Sequence, residues 1–126
     1  SFMYGLFGTK SEKTRNAVDA ALKTFGFDED APGLPRYEHD TYRRPDDTEQ
    51  PNWWFVSSLW MAQYFLETGQ QDRATNILHW VHDSAWATGA LTEQINPRTR
   101  DEMSVSPLCW SQAEYLSTLL DTIPEA

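Results

Sequence analysis

Between Trp53 and Thr68 the chain carries Trp54, Phe55, Val56, Leu59, Trp60, Met61, Ala62, Tyr64, Phe65 and Leu66, with few polar residues among them. At helical spacing these side chains run nearly all the way round the axis. A helix of that kind has to be covered on several sides. The rest of the chain must therefore wrap a central helix that ends at Gly69.

Three further helices are expected. The first spans Ser11 to Phe25, with Thr9 and Glu12 spaced as a capping box, Ala17, Ala21, Leu22 and Phe25 on one face, and Gly26 as its stop. The third spans Gln71 to Ala87. Its single stripe of Ala74, Ile77, Leu78, Val81 and Ala85 marks an outer, half-exposed helix. The fourth has Ser106 as N-cap and Pro107 at the first helical position. It runs to Thr122 with Cys109, Ala113, Leu116 and Leu120 as its seam. No alternating strand pattern is present, and only Ile95 and Val105 suit a brief pairing. The expected fold class is all-α.

Loop lengths order these elements. Only Gly69-Gln70 joins the second and third helices, so they should pack antiparallel. The connections 26–52 and 88–106 exceed the length of about 12–15 residues beyond which a structureless loop in a compact domain is usually functional. In an up-down arrangement both fall at one end, beside the N-termini of helices two and four. A site is expected there.

With 10 Lys+Arg against 19 Asp+Glu the net charge is −9. A nucleic acid or an anionic membrane would repel such a surface, and no apolar run approaches the length of about 20 residues that spans a bilayer. Neutral ligands and protein surfaces remain. Cys109 is the single cysteine, which excludes an intrachain disulfide and fits a reducing compartment such as the cytoplasm without assigning one.

The first long loop holds Arg36, Tyr37, Asp40 and Tyr42. Charged groups that hydrogen-bond hydroxyls, beside aromatic faces that cover C–H surfaces, are what a neutral sugar needs. The same residues also read as a loop-stabilising ion pair with aromatic plugs. Glu93, in the second long loop, has the chemistry of a general base or of an ordinary solvated carboxylate. His79 and His82 lie three apart but lack a third ligand, so no metal site is expected. Asp28-Glu29-Asp30 and Arg43-Arg44-Pro45-Asp46-Asp47 read as solvated charge clusters, and Cys109 reads as a core thiol.

Taken in order, Arg36-Tyr37-x-x-Asp40-x-Tyr42, Asn52-x-Trp54-Phe55, Glu93-Gln94, Ser104 and Leu108-x-Trp110-Ser111 resemble the C-terminal part of the catalytic domain of glycoside hydrolase family 15, the glucoamylase-like enzymes. The similarity runs from about Phe7 to Leu120. It departs at Trp53, where the family usually has proline, and in an apparent insertion from Arg43 to Gln50.

The resemblance implies that residues 1–126 form the C-terminal third of an (α/α)6 toroid, as four of about twelve helices paired in antiparallel hairpins. Glu93 would match the catalytic base. Arg36, Tyr37 and Asp40 would match the sugar-binding groups, Trp54 an aromatic wall of the funnel, and Ser104 a support for the base. The implied reaction is removal of glucose from α-glucosides (starch-type ends, isomalto-linkages or trehalose) with inversion and no cofactor. Its general acid would lie in the remainder of the domain. A non-catalytic glucoamylase-like module serving regulation or assembly is the alternative. A slice of a toroid should also expose apolar surface of helix two, so self-association of the isolated chain is expected.

Overall fold

The computed structural model describes residues 5–44 and 50–123. Asp46 and Asp47 of the second charge cluster lie outside them. Four helices, α1 (Glu12–Thr24), α2 (Phe55–Glu67), α3 (Gln71–Asp83) and α4 (Cys109–Leu120), are joined by a small antiparallel sheet of β1 (Trp53–Trp54), β2 (Gln94–Ile95) and β3 (Glu102–Met103) in that spatial order. The fold is thus mostly helical and not purely all-α. Each strand is two residues long, too short for a period-two pattern to be read in the sequence.

α2 is the covered helix. Phe55, Leu59, Ala62 and Phe65 are fully buried. Its start meets the end of α3, where Phe55 stacks on Trp80 at 5.2 Å. Its end meets the start of α3, where the Arg73 guanidinium lies 4.1 Å over the Phe65 ring. The two helices are therefore antiparallel. The turn between them depends on Gly69 at φ 78°, which lets Gln70 N–H reach the Phe65 carbonyl at 2.8 Å and close the helix end. α3 buries Ala74, Ile77, Leu78 and Val81 as its stripe requires, and leaves His79 and His82 exposed. Among the described residues no group of three or more His, Cys, Asp or Glu side chains is arranged to hold a metal ion. No described helix is long and apolar enough to cross a membrane.

Several expectations are corrected. α1 is capped by Ser11, whose hydroxyl accepts from Thr14 N–H at 3.2 Å, and not by Thr9. Its inward face carries Thr14 and Val18, while Ala17 is exposed. Trp53 and Trp54 belong to a strand and not to α2, because their backbones pair with β2 and with Leu34. The third helix ends at Asp83. The fourth begins after Leu108, so Ser106 and Pro107 precede it.

The largest correction concerns α4. Trp60 meets Trp110 edge-on at 5.7 Å, and Gln63 Nε2 donates to Glu114 Oε2 and Thr118 Oγ1, both at 3.0 Å. α2 and α4 therefore run parallel through a partly polar seam that buries Ser111 and Thr118 completely. The apolar stripe Cys109, Ala113, Leu116 and Leu120 points outward, with Leu116 58% and Leu120 57% exposed. Cys109 is consequently no core thiol. The exposed apolar helix face is therefore on α4 and not, as expected for a slice of a toroid, on α2.

Candidate functional site

Both long loops converge on β1. On one side Trp54 N–H donates to the Leu34 carbonyl at 2.8 Å, which brings in the loop carrying Arg36. Leu34 N–H in turn donates to Ser58 Oγ at 2.9 Å, and that hydroxyl donates to the Trp54 carbonyl. On the other side Trp53 pairs with Ile95 and Trp54 with Gln94. The Glu93 carbonyl accepts from Phe55 N–H at 3.4 Å, and Glu93 N–H donates to the Val105 carbonyl at 3.0 Å. Glu93 is thus held by its backbone at the first turn of α2, where free amide groups need acceptors.

Arg36 and Asp40 form a two-pronged pair, Nε to Oδ2 at 2.8 Å and Nη2 to Oδ1 at 3.0 Å. Asp40 is 2% exposed, and its Oδ1 also accepts from Tyr42 N–H at 3.0 Å. Burial pushes the Asp40 carboxyl up, but the hydrogen bonds from Arg36, Tyr42 N–H and Tyr37, with the Arg36 charge, outweigh it and leave the group below the usual carboxylate value. The hydrogen bond to Asp40 raises Arg36 against the effect of burial, and the charges of Asp40, Tyr37 and Glu93 add to it. Glu93 therefore shares the field of this pair.

The guanidinium lies 4.0 Å over the Trp54 ring and 5.2 Å from the rings of Tyr37 and Tyr42. Its side chain is 34% exposed, and Nη1 has no partner among the described residues. Arg36 is the part of the pair that can meet a ligand.

Three expected roles change. Trp54 is buried at 5% with its face taken by Arg36, so it supports that residue and offers no open aromatic wall. The neighbouring exposed rings are Tyr37 and Tyr42. Ser104 makes no hydrogen bond to Glu93. Its backbone turns with φ 71°, and its buried hydroxyl has no partner among the described residues. Asp40 spends both oxygens on Arg36 and the Tyr42 amide, so it acts through Arg36 rather than on a ligand directly.

The structure also gives roles to Asn52 and to the side chain of Gln94 that the sequence does not signal. Asn52 Nδ2 donates to Gln94 Oε1 at 2.9 Å, and Gln94 Nε2 donates to Glu93 Oε2 at 3.1 Å. The first of these bonds joins residues 42 apart, a separation that no local motif marks. An open groove of about 550 Å3 lined by Phe27, Asp72, Arg73 and His79 lies along α3 and contains none of Arg36, Trp54 or Glu93. It is lined by Arg73 with the carboxylates of Asp28, Glu29 and Asp72, but among the described residues none of these forms an ion pair like the one at β1.

Compared with protein-family models, curated proteins and solved structures, the chain matches none of them.

Proposed function

We propose that this chain is the C-terminal third of the catalytic domain of an inverting, glucoamylase-like α-glucosidase, with Glu93 as its general base. The observation that carries the reading is the pinning of Arg36 and Glu93 to opposite edges of one two-residue strand, by Trp54 N–H to the Leu34 carbonyl and by the Trp54–Gln94 pairing. A half-exposed arginine, the two exposed tyrosine rings beside it and a carboxylate near enough to act on its charge are thereby anchored to one strand, although they come from loops far apart in the chain.

In this reading Arg36 hydrogen-bonds sugar hydroxyls through its unpaired Nη1 edge. Asp40 and the Trp54 ring hold the guanidinium in place, and Tyr37 and Tyr42 cover C–H faces of the sugar. Glu93 takes a proton from a water molecule as that water attacks the anomeric carbon. The leaving oxygen is protonated by a carboxylic acid from the remainder of the domain. The two carboxyl groups stand about 6.5–9.5 Å apart so that the water fits between them. The bond to the leaving oxygen breaks as the bond to water forms, and glucose departs with inverted configuration. The remainder of the toroid would supply helices against the outward stripe of α4.

The test is glucose release from maltose, isomaltose and trehalose by the longest reading frame that contains this chain, beside its Glu93→Gln variant. Hydrolysis of at least one substrate that falls by three orders of magnitude or more in the variant is expected, within the span that removal of a catalytic group costs. Undiminished hydrolysis in the variant would overturn the role of Glu93. No hydrolysis of any of the three would favour a regulatory or assembly module of the same fold.

A further inference from the structure

We infer that Gln94 is a positioning residue that fixes which oxygen of Glu93 is held and which is left to take a proton. The inference rests on the reading of Glu93 as a base, but its geometry stands without it.

The amide of Gln94 is fully buried, so it cannot exchange partners with solvent. A primary amide has one accepting end and one donating end, and its orientation follows from its surroundings. Here the orientation can be traced back to the backbone. The Arg43 carbonyl can only accept, and it takes a hydrogen from Asn52 Nδ2 at 3.2 Å. That fixes the nitrogen end of Asn52, which also meets Gln94 at 2.9 Å. Gln94 must therefore present Oε1 to Asn52 and Nε2 to Glu93. Its backbone is held as well, by Thr92 Oγ1 donating to the Gln94 carbonyl at 2.7 Å and by pairing with Trp54. The outcome is one N–H aimed at Glu93 Oε2 at 3.1 Å.

Glu93 Oε1 has no partner among the described residues. The carboxylate is thus divided in function. Oε2 is tied to a buried donor that cannot reverse, and Oε1 is the oxygen presented for proton transfer. A base must present a lone pair within about 2.6–3.2 Å of the proton it removes, and a carboxylate free to rotate would meet that condition only part of the time. Holding one oxygen is what Gln94 adds. Asn52, by setting the direction of Gln94, acts one step further back.

The inference has two tests that read different things. In the unmodified chain, the side-chain amide resonances of Gln94 are followed by 15N NMR across the range in which carboxylates ordinarily titrate, about pH 3–6. They should shift with pH, and the shift should vanish in Glu93→Gln. That control separates Glu93 from Arg36, from the Asp40 and Tyr37 groups around it, and from Glu102 on the paired strand β3. Gln94 resonances that ignore pH, or that titrate identically in Glu93→Gln, would overturn the geometry whether or not the protein is a hydrolase.

In the active parent, Gln94→Met removes the donor while keeping length and volume. Its kcat should fall by about 10–100-fold, the loss that follows removal of a partner orienting a metal-ligating side chain, with KM changed by less than about twofold. A loss confined to KM, or none, would overturn the positioning role. A parent with no hydrolase activity at all would count against the enzyme reading and leave the NMR result to judge the hydrogen-bond geometry.

Discussion

Replacing Asp40 by asparagine probes the clamp that holds Arg36. The variant keeps the shape and an oxygen for Tyr42 N–H, but it offers Arg36 an NH2 group where a carboxylate oxygen stood. The 2.8 Å bond from Arg36 Nε to Oδ2 loses its acceptor, and the 3.0 Å bond from Nη2 to Oδ1 keeps an oxygen but loses the carboxylate charge. Asp40 is 2% exposed and the Arg36 side chain 34%. The loss should therefore fall between that of an exposed pair, about 0.2–1 kcal/mol, and that of a broken buried pair, about 3–5 kcal/mol. Arg36 retains its contact with Trp54 and can recruit water, so a destabilisation of about 2 kcal/mol is expected, or a melting point lower by about 8 °C for a domain of this size.

The pH dependence follows from the sign of the Asp40 shift. Its carboxyl lies below the usual value in the folded chain, because the hydrogen bonds it accepts outweigh its burial. Its contribution is thus complete above about pH 4 and is lost as pH falls through the lower folded value. Urea unfolding of both proteins from pH 6 to pH 3 should show their difference shrinking toward the acid end. A difference below about 0.5 kcal/mol at pH 6, or one constant across the range, would refute the reasoning.

Gly33→Ala should also destabilise, because an added Cβ would stand 2.3 Å from Trp53 Cδ2 and Cε3, and that ring is wedged edge-on against Trp80. Overpacking of this kind costs about 1–3 kcal/mol, and an unchanged melting point would contradict the contact. The outward stripe of α4 predicts concentration-dependent association of the isolated chain in sedimentation. Leu116→Gln combined with Leu120→Gln should suppress it, and a wild-type monomer at every concentration would count against the stripe as the cause.

Much of this architecture is legible in the order and spacing of the residues. The apolar girth of α2 demands cover, and the shortness of the link at Gly69 makes α2 and α3 an antiparallel pair. Loop length also brings Arg36 and Glu93 to one end. Periodicity fails at α4 for a definite reason. It reports which side of a helix is apolar, not which side has a neighbour. Here the polar Thr118 faces Gln63 and Ser111 is buried, while Leu116 and Leu120 face out. The strands are hidden because two residues carry no pattern, and their pairing depends on contacts between distant loops. At the site, the pairing of Arg36 with Asp40 is legible as an i,i+4 ion pair. The burial of Trp54 beneath the guanidinium is not, since an aromatic residue at a loop end looks the same whether it is a wall or a floor. Nor is the lack of a hydrogen bond from Ser104 to Glu93 legible, since Ser104 is a non-glycine residue in a left-handed backbone turn that no spacing rule anticipates.

The central claim is that Glu93 activates water for direct displacement at the anomeric carbon. Its most direct test is 1H NMR of the first glucose released by the active parent from an α-glucoside, before mutarotation mixes the anomers. The account predicts β-glucose as the first product, absent when Glu93 is replaced by glutamine. An initial burst of α-glucose would mean retention through a covalent intermediate and would contradict the assignment of Glu93 as the base of an inverting hydrolase.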